Sequence, residues 1–170
     1  MYKNYKSRAR EIISKMTLKE KIGQLNQITI TPYTSDMEKL YELYAKKLKT
    51  VSTDFVRYLY NEINWDSQLI VIMGARGVGK TTMVLQRILM TDTKKESLYI
   101  SADNTFFAGN TLYDIATKFA QEGGKVLYID EVHKYQDWSK EVKMMYDFLP
   151  DLKVVITGSS ILELIRGTDA

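Results

Sequence analysis

The sequence predicts an α/β protein of three layers, in which a mainly parallel sheet lies between helices and further helices precede it. From residue 67 onward, short apolar runs alternate with segments of helical periodicity. The apolar runs lie at 69–73, 98–101, 126–130 and 154–157, and the helical segments at 81–90, 112–121 and 138–148. Continuous apolar runs separated by helix-length intervals are typical of parallel strands that helices cover on both faces.

The first part of the chain predicts helices only. Apolar positions in 8–16 and a capping box at Thr17–Glu20 predict a helical hairpin, and the turn-forming residues 28–36 predict a linker. A helix beginning near Met37 and a second helix through 55–63 would follow. We therefore expect two parts, a helical leader and linker at 1–36 and a core at 37–170.

Composition excludes several kinds of site. The chain has no cysteine, so neither disulfides nor thiolate zinc sites can form, and the single His133 excludes a histidine-rich metal cluster. No run approaches the roughly 18 apolar residues of a membrane span, and no secretory signal is visible. We expect a cytoplasmic protein without a membrane partner, in which any metal is held by oxygen.

The charge distribution says little about partners. Basic residues are concentrated in the first 50 positions, and the remainder is slightly acidic. A solvated helical face explains this pattern more often than nucleic-acid binding does, and no interleaved aromatic stacking motif is present. Nucleic-acid binding stays open but has no specific support.

A phosphate-binding motif follows the first predicted strand. The segment GARGVGKTT fits G-x-x-x-x-G-K-[ST] between a strand and a helix, the context that this motif requires. Its glycines let successive N–H groups turn towards an anion, Lys80 would reach the terminal phosphates, and Thr81 would coordinate Mg²⁺. The alternative is a glycine-rich turn with an exposed lysine. This alternative is disfavoured, because the four fixed positions of the motif rarely occur together by chance in a chain of this length. The candidate nucleotide-binding residues are Gly74, Ala75, Arg76, Gly77, Val78, Gly79, Lys80, Thr81 and Thr82.

Two adjacent acids end the run VLYIDEVHK. Asp130 lies at the carboxyl end of a predicted buried strand, the edge at which open α/β sheets bind ligands, and is a candidate Mg²⁺ ligand. Glu131, the next residue, would point in a different direction from Asp130 and polarise the water that attacks the γ-phosphate. A solvated loop is the usual alternative for a bare Asp-Glu pair, but the preceding VLYI disfavours it.

Further polar residues occur where the other strands end. Thr157, in TGSS, is a candidate for sensing the γ-phosphate or positioning the water, although such a segment is also a good helix cap. His133, Arg76 and the loop 101–104 either lie near the site or are surface and turn residues.

With these motifs in place, residues 37–170 resemble bacterial and archaeal AAA-type ATPases that carry a C-terminal domain of unknown function. The resemblance runs through MEKLYELYAKKLK, INWDSQLIVIMGARGVGKTT, SLYISADN, VLYIDEVHK and LKVVITGSS. It implies a P-loop NTPase core in which the strand of Thr157 lies between the phosphate-loop strand and the Asp-Glu strand. It also implies that five residues converge on one nucleotide: Lys80, Thr81, Asp130, Glu131 and Thr157.

The resemblance implies more chain than the sequence shows. The family continues into a fifth strand, an arginine-bearing segment and a second domain, so we expect a truncated core with weak turnover. A shorter stretch, RAREIISKMTLKEKIGQLNQ at 8–27, is similar to the segment preceding the barrel of family-three glycoside hydrolases. No barrel follows, and we expect residues 1–36 to be a fused or misassigned leader.

These observations predict an ATPase core that binds ATP and Mg²⁺ and hydrolyses ATP to ADP and phosphate. A nucleotide-dependent switch or scaffold with little turnover is one alternative, and a P-loop kinase is another. Glu131 beside Asp130 disfavours the kinase, and the absence of an N-K-x-D motif disfavours a GTPase. A protein partner or self-association is compatible with every one of these functions.

Overall fold

The computed structural model describes residue 17 and residues 36–91 and 96–159. Apart from Thr17, these residues belong to the compact unit Asp36–Ala170. The predicted helical hairpin at 8–27 and most of the predicted leader lie outside the described residues. The division of the chain at residue 36 therefore stays a prediction.

The predicted alternation of strands and helices is confirmed. The helices are α1 (Asp36–Leu48), α2 (Leu59–Glu62), α3 (Lys80–Met90), α4 (Leu112–Gln121) and α5 (Trp138–Phe148). The strands are β1 (Leu69–Met73), β2 (Ser97–Ser101), β3 (Val126–Asp130) and β4 (Lys153–Gly158), and short 3₁₀ turns follow β2 at Thr105–Ala108 and β3 at Val132–Lys134. Within the described ranges, no helix is long and apolar enough to cross a membrane.

The four strands form one parallel sheet in the order β1-β4-β3-β2. Ile72 of β1 lies opposite Thr157 of β4, and Ile129 of β3 lies opposite Ile156 of β4. The strand that carries Thr157 therefore lies between the phosphate-loop strand and the Asp-Glu strand, as the family resemblance implies. The fold is an α/β P-loop NTPase core.

The strand order determines which face each helix covers. The crossovers from β2 to β3 and from β3 to β4 run towards β1, whereas the crossover from β1 to β2 runs the opposite way. Because such crossovers are almost always right-handed, α4 and α5 cover one face and α3 the other. The contacts agree, since α4 packs against α5 and α1 packs against α3 and β2. This reversal leaves a crevice at the carboxyl ends of the strands.

Helix α1 is part of the core rather than an appendage. Met37, Leu40 and Tyr44 are buried at helical spacing, and Tyr41 and Leu48 are partly buried against the same cluster. Burial raises the pKa of the Tyr44 phenol well above its usual range, so this side chain stays neutral. The predicted apolar stripe of this helix is confirmed.

The predicted helix at 55–63 is largely wrong. Only Leu59–Glu62 is helical, and Phe55 is 72% exposed instead of buried. The reason lies in Gln86, whose buried side-chain amide donates to the carbonyl oxygens of Ser52 and Phe55, each at 2.8 Å. These bonds use backbone acceptors that a helix would need and fasten the segment to α3.

Two smaller features differ from what the sequence pattern favours, which is an N-cap at Asp137 and a strand β1 covered on both faces. Asp137 precedes α5, but its side chain makes no capping bond and instead accepts from Lys140 Nζ at 2.9 Å, in a left-handed backbone conformation. Strand β1 is not covered on both faces by the described residues, because it lies at the sheet edge with Val71 and Met73 about half exposed.

Helix α5 offers a direct test of the core. Met145 is fully buried, and its neighbour Met144 is 40% exposed. We expect Met145→Ala to lower the free energy of unfolding by about 2–5 kcal/mol, because it removes buried atoms and leaves a cavity. Met144→Ala, which makes the same change in helix propensity, should alter stability by about 0.5 kcal/mol or less. Urea unfolding of both variants measures the difference, and equal losses would contradict the assigned core.

Candidate functional site

The candidate site lies where β1, β3 and β4 end. The phosphate-binding loop leaves β1 at Gly74, whose N–H donates to the carbonyl oxygen of Gly158 at the end of β4, at 3.4 Å. The loop is therefore joined to the same strand that carries Thr157. The carboxyl edge of the sheet brings the loop, the paired acids and the TGSS segment together.

The loop has the backbone conformation that its glycines allow. Gly79 has a φ of +87°, in the left-handed region, and α3 begins at the next residue. Lys80 is only 7% exposed, and its ammonium donates to the carbonyl oxygens of Gly74 and Ala75 at 2.8 and 3.0 Å. The lysine thus folds back over the loop, and the remaining candidates Arg76, Gly77, Val78 and Thr82 are exposed on its outer side.

Asp130 is the centre of the site. Its carboxylate is 4% exposed and accepts three hydroxyl hydrogen bonds from three different elements. Thr81 Oγ1 and Tyr99 Oη each donate to Oδ2 at 2.7 Å, and Thr157 Oγ1 donates to Oδ1. Three neutral donors satisfy a buried anion without neutralising its charge.

Tyr99 is a site residue that the sequence analysis missed. Burial and the neighbouring Asp130 carboxylate raise the pKa of its phenol well above the usual range, so the hydroxyl remains a donor. A tyrosine in the apolar run LYIS is as readily a core residue, and only the pairing of β2 with β3 reveals its target.

The predicted magnesium ligands lie together. Thr81 Oγ1 and Asp130 Oδ2 are 2.7 Å apart, and both are hard oxygen donors of the kind that Mg²⁺ prefers. Among the described residues, no group of three or more His, Asp or Glu side chains could hold a metal by itself. This donor set fits an ion that takes one or two protein ligands and completes its shell with phosphate and water.

Glu131 has an unusual backbone conformation. Its φ of 52° is left-handed, which costs a non-glycine residue about 1–3 kcal/mol. Its N–H donates to Thr157 Oγ1 at 3.1 Å, and its Oε2 accepts from Ser159 Oγ at 3.0 Å. His133 Nε2 lies 3.3 Å from the same oxygen. Strand β4 therefore contacts both acids, and Thr157 touches each of them.

Arg57 is a second residue that the sequence analysis missed. Its guanidinium lies against Gly79, so close that a Cβ at position 79 would be 2.8 Å from Nε. This places a cation beside the start of α3, and helix N-termini of this kind favour anions. No local sequence pattern singles out Arg57, because it belongs to the segment whose pattern predicts a helix.

The remaining candidates from the sequence, which are His133, Arg76 and the loop 101–104, differ in whether they contact the site. His133 joins the site through Glu131, whereas Arg76 is exposed on the loop. In the loop 101–104, Ser101 donates to Asp103, and Asn104 accepts from the N–H of Phe106 as a cap. These side-chain contacts are turn-forming, and the loop meets Asp130 through its backbone, since the Ala102 N–H donates to the Asp130 carbonyl oxygen at 2.9 Å.

A parallel sheet with this strand order, a phosphate-binding loop after β1 and a buried acid at the end of β3 defines the class of P-loop NTPase cores. Residues 66–169 match the model of the AAA domain family. The match covers more than half of the chain, which therefore belongs to that family.

Two proteins to which this chain is similar are both longer than the region that it matches. The uncharacterized protein MJ1637 of Methanocaldococcus jannaschii is 28% identical over 160 residues, which cover 85% of this chain and 32% of the relative. The chain thus spans about a third of that protein. Among solved structures, C. elegans PCH-2 is similar at 18% identity and a TM-score of 0.38, over 79% of this chain and 39% of that one. Neither match supports the glycoside hydrolase resemblance of residues 8–27, which stays a prediction.

Gly79 provides a test of the loop. We expect Gly79→Ala to weaken ATP binding at least about tenfold, or about 1.4 kcal/mol, because the new Cβ strains the loop and collides with Arg57. Gly123→Ala is the control, since Gly123 has a φ of +90° but no atom within 4 Å of a new Cβ. Calorimetric titration with ATP and Mg²⁺ measures both variants. Equal binding by the two would contradict the assignment of the loop.

Thr157 provides a test of the contact between β4 and the acids. Thr157→Val keeps the shape but removes the hydroxyl that serves Asp130 and Glu131. We expect a loss of about 1–3 kcal/mol in the free energy of unfolding, because buried polar groups lose their partner. Thr157→Ser keeps the hydroxyl and should lose less. Urea unfolding checks this order, and the reverse order would show that the methyl group matters more than the hydroxyl.

Proposed function

We propose that this chain is the core of an ATPase that binds ATP with Mg²⁺ and hydrolyses it to ADP and phosphate. The observation that carries the proposal is the buried Asp130 carboxylate, bound at once to Thr81 of the phosphate loop and Thr157 of β4, with Glu131 beside it. Membership of the AAA domain family supports nucleotide binding.

The residues divide the work of binding and reaction. The loop N–H groups and Lys80 hold the phosphates, and Arg57 adds positive charge beside Gly79. Thr81 and Asp130 would hold Mg²⁺, which supplies charge stabilisation to the terminal phosphates. Glu131 accepts a hydrogen bond from the attacking water and orients it for in-line attack. Thr157 fixes the Glu131 backbone and contacts Asp130, which makes it a candidate sensor of the γ-phosphate.

A nucleotide-dependent switch or scaffold is the second candidate. The Lys80 ammonium donates to two carbonyl oxygens of its own loop, which favours this candidate. The loop must rearrange when a phosphate takes the place of these oxygens as the acceptor. A switch would bind ATP with little turnover. A P-loop kinase would share the phosphate loop, but it would not need a water-activating carboxylate at Glu131.

The finer features of the family also belong to the proposal. These are a C-terminal domain of unknown function and an arginine from a later segment that completes the site. A protein partner or self-association and a cytoplasmic location complete the proposal. Among the described residues, none specifically supports nucleic acid as a partner.

The binding function is tested at Lys80. We expect Lys80→Ala to abolish measurable ATP binding in calorimetry, because it removes the side-chain cation at the β- and γ-phosphates. Lys140→Ala, which removes an exposed lysine of α5, is the control and should bind as the wild type does. Wild-type affinity in Lys80→Ala would refute the nucleotide site.

The hydrolytic function is tested at the two acids. We expect Glu131→Gln to bind ATP and Mg²⁺ but to turn over about 10²- to 10⁴-fold more slowly, because the general base is lost. Asp130→Asn should instead lose the dependence of ATP binding on Mg²⁺. Phosphate release and calorimetry with and without Mg²⁺ measure both. Identical behaviour of the two variants would contradict the division of labour, and binding without turnover in the wild type would favour the switch.

A further inference from the structure

The Glu131 carboxylate belongs to a compact three-residue network. Ser159 Oγ lies 3.0 Å from Glu131 Oε2 and 3.0 Å from His133 Nε2, and His133 Nε2 lies 3.3 Å from the same Oε2. The His133 side chain is 2% exposed, whereas the Glu131 side chain is 26% exposed. A buried imidazole and a hydroxyl therefore hold a carboxylate that still reaches solvent.

The donors and acceptors of this network fit a single arrangement. The Ser159 N–H points at His133 Nδ1 at 3.4 Å, so Nδ1 is the acceptor and the ring proton lies on Nε2. Nε2–H then faces Glu131 Oε2, and the Ser159 hydroxyl donates to that oxygen as well. Both contacts fall on Oε2, which leaves Oε1 as the oxygen that can meet a water.

The backbone of Glu131 is fixed from the same strand. Its strained conformation persists because Thr157 accepts its N–H while Ser159 holds its carboxylate. These two residues flank Gly158, whose carbonyl oxygen accepts from Gly74 of the phosphate loop. Glu131 is thus positioned relative to the loop through three consecutive residues, the last two of β4 and the one that follows them.

We propose that Ser159 and His133 are the positioning residues of the catalytic glutamate, holding Oε2 so that Oε1 faces the attacking water. This inference rests on the ATPase function proposed above. It assigns His133 a role through Glu131 and not through nucleotide or metal. The opposite role, a latch that keeps Glu131 away from the water, predicts faster turnover when the network is cut.

The test replaces each half of the imidazole in the full 170-residue chain. His133→Gln keeps an N–H near the place of Nε2, His133→Asn keeps a polar group near the place of Nδ1, and His133→Ala keeps neither. Ser159→Ala removes the hydroxyl. Lys134→Ala is the control, because Lys134 is exposed in the same 3₁₀ turn.

We expect His133→Ala and Ser159→Ala to lower kcat about 10- to 100-fold, the range for the loss of groups that orient a reacting side chain. KM and the calorimetric affinity for ATP and Mg²⁺ should stay within about twofold, because no phosphate contact changes. His133→Gln should recover most of the rate and His133→Asn should not. A purely structural role would lower the Tm without this split, and a kcat that stays unchanged or rises would overturn the proposal.

A double-variant cycle separates this inference from the function on which it rests. In the Glu131→Gln background, His133→Ala should slow turnover little further, since both changes remove the same oriented base. Full additivity would mean that His133 acts elsewhere, and would refute the inference. Slow turnover in Glu131→Gln with wild-type rates in His133→Ala and Ser159→Ala would refute the inference alone. No turnover in the wild type, or no effect of Glu131→Gln, would refute the proposed function as well.

Discussion

The structure depends most on the satisfaction of one buried carboxylate, that of Asp130. No ion pair among the described residues involves it, so neutral hydroxyl groups alone offset the cost of burying its charge. The sheet order makes this arrangement possible. Because β3 lies between β4 and β2, Thr157 and Tyr99 approach Asp130 from its two neighbouring strands, while Thr81 comes from the first turn of α3. Among the residues that the structure describes, no cation pairs with this carboxylate, so its charge could be offered to a divalent ion.

The end of β4 joins the two halves of the site. Thr157 contacts both acids, the Gly158 carbonyl oxygen accepts from the phosphate loop, and Ser159 binds the Glu131 carboxylate. A displacement of the loop by phosphate is therefore transmitted to the acids through backbone and hydroxyl contacts of one strand. Conversely, Mg²⁺ held by Asp130 would compete for the hydroxyl groups of Thr81 and Thr157. These shared contacts give nucleotide binding and the position of the glutamate a physical link.

The sequence predicts most of the sheet but not the details of the site. Apolar runs such as VLYID predict the strands from local pattern alone, and the structure confirms the bounds of the strands to within a residue. The motif GARGVGKTT likewise predicts a phosphate site from local pattern alone, and that site stays a prediction. The contacts of Tyr99 and Arg57 depend on long-range packing, which no local pattern encodes. The helix prediction for 55–63 is wrong for the same reason. The side chain of Gln86, which belongs to α3, binds the backbone of this segment and determines its conformation. Helix propensity is a weak preference that such tertiary contacts override.

The left-handed backbone at Glu131 explains how two adjacent acids serve one edge of the sheet. In a continuing strand, neighbouring side chains point to opposite faces, which would turn Glu131 away from the partners of Asp130. Thr157 of β4 and Ser159, which directly follows that strand, bind Asp130 and Glu131 respectively, so both carboxylates meet the same end of β4. The turn at φ 52° ends the alternation and makes this possible. The strain of one residue is therefore the structural condition for placing the proposed metal ligand and the proposed general base next to each other in the chain.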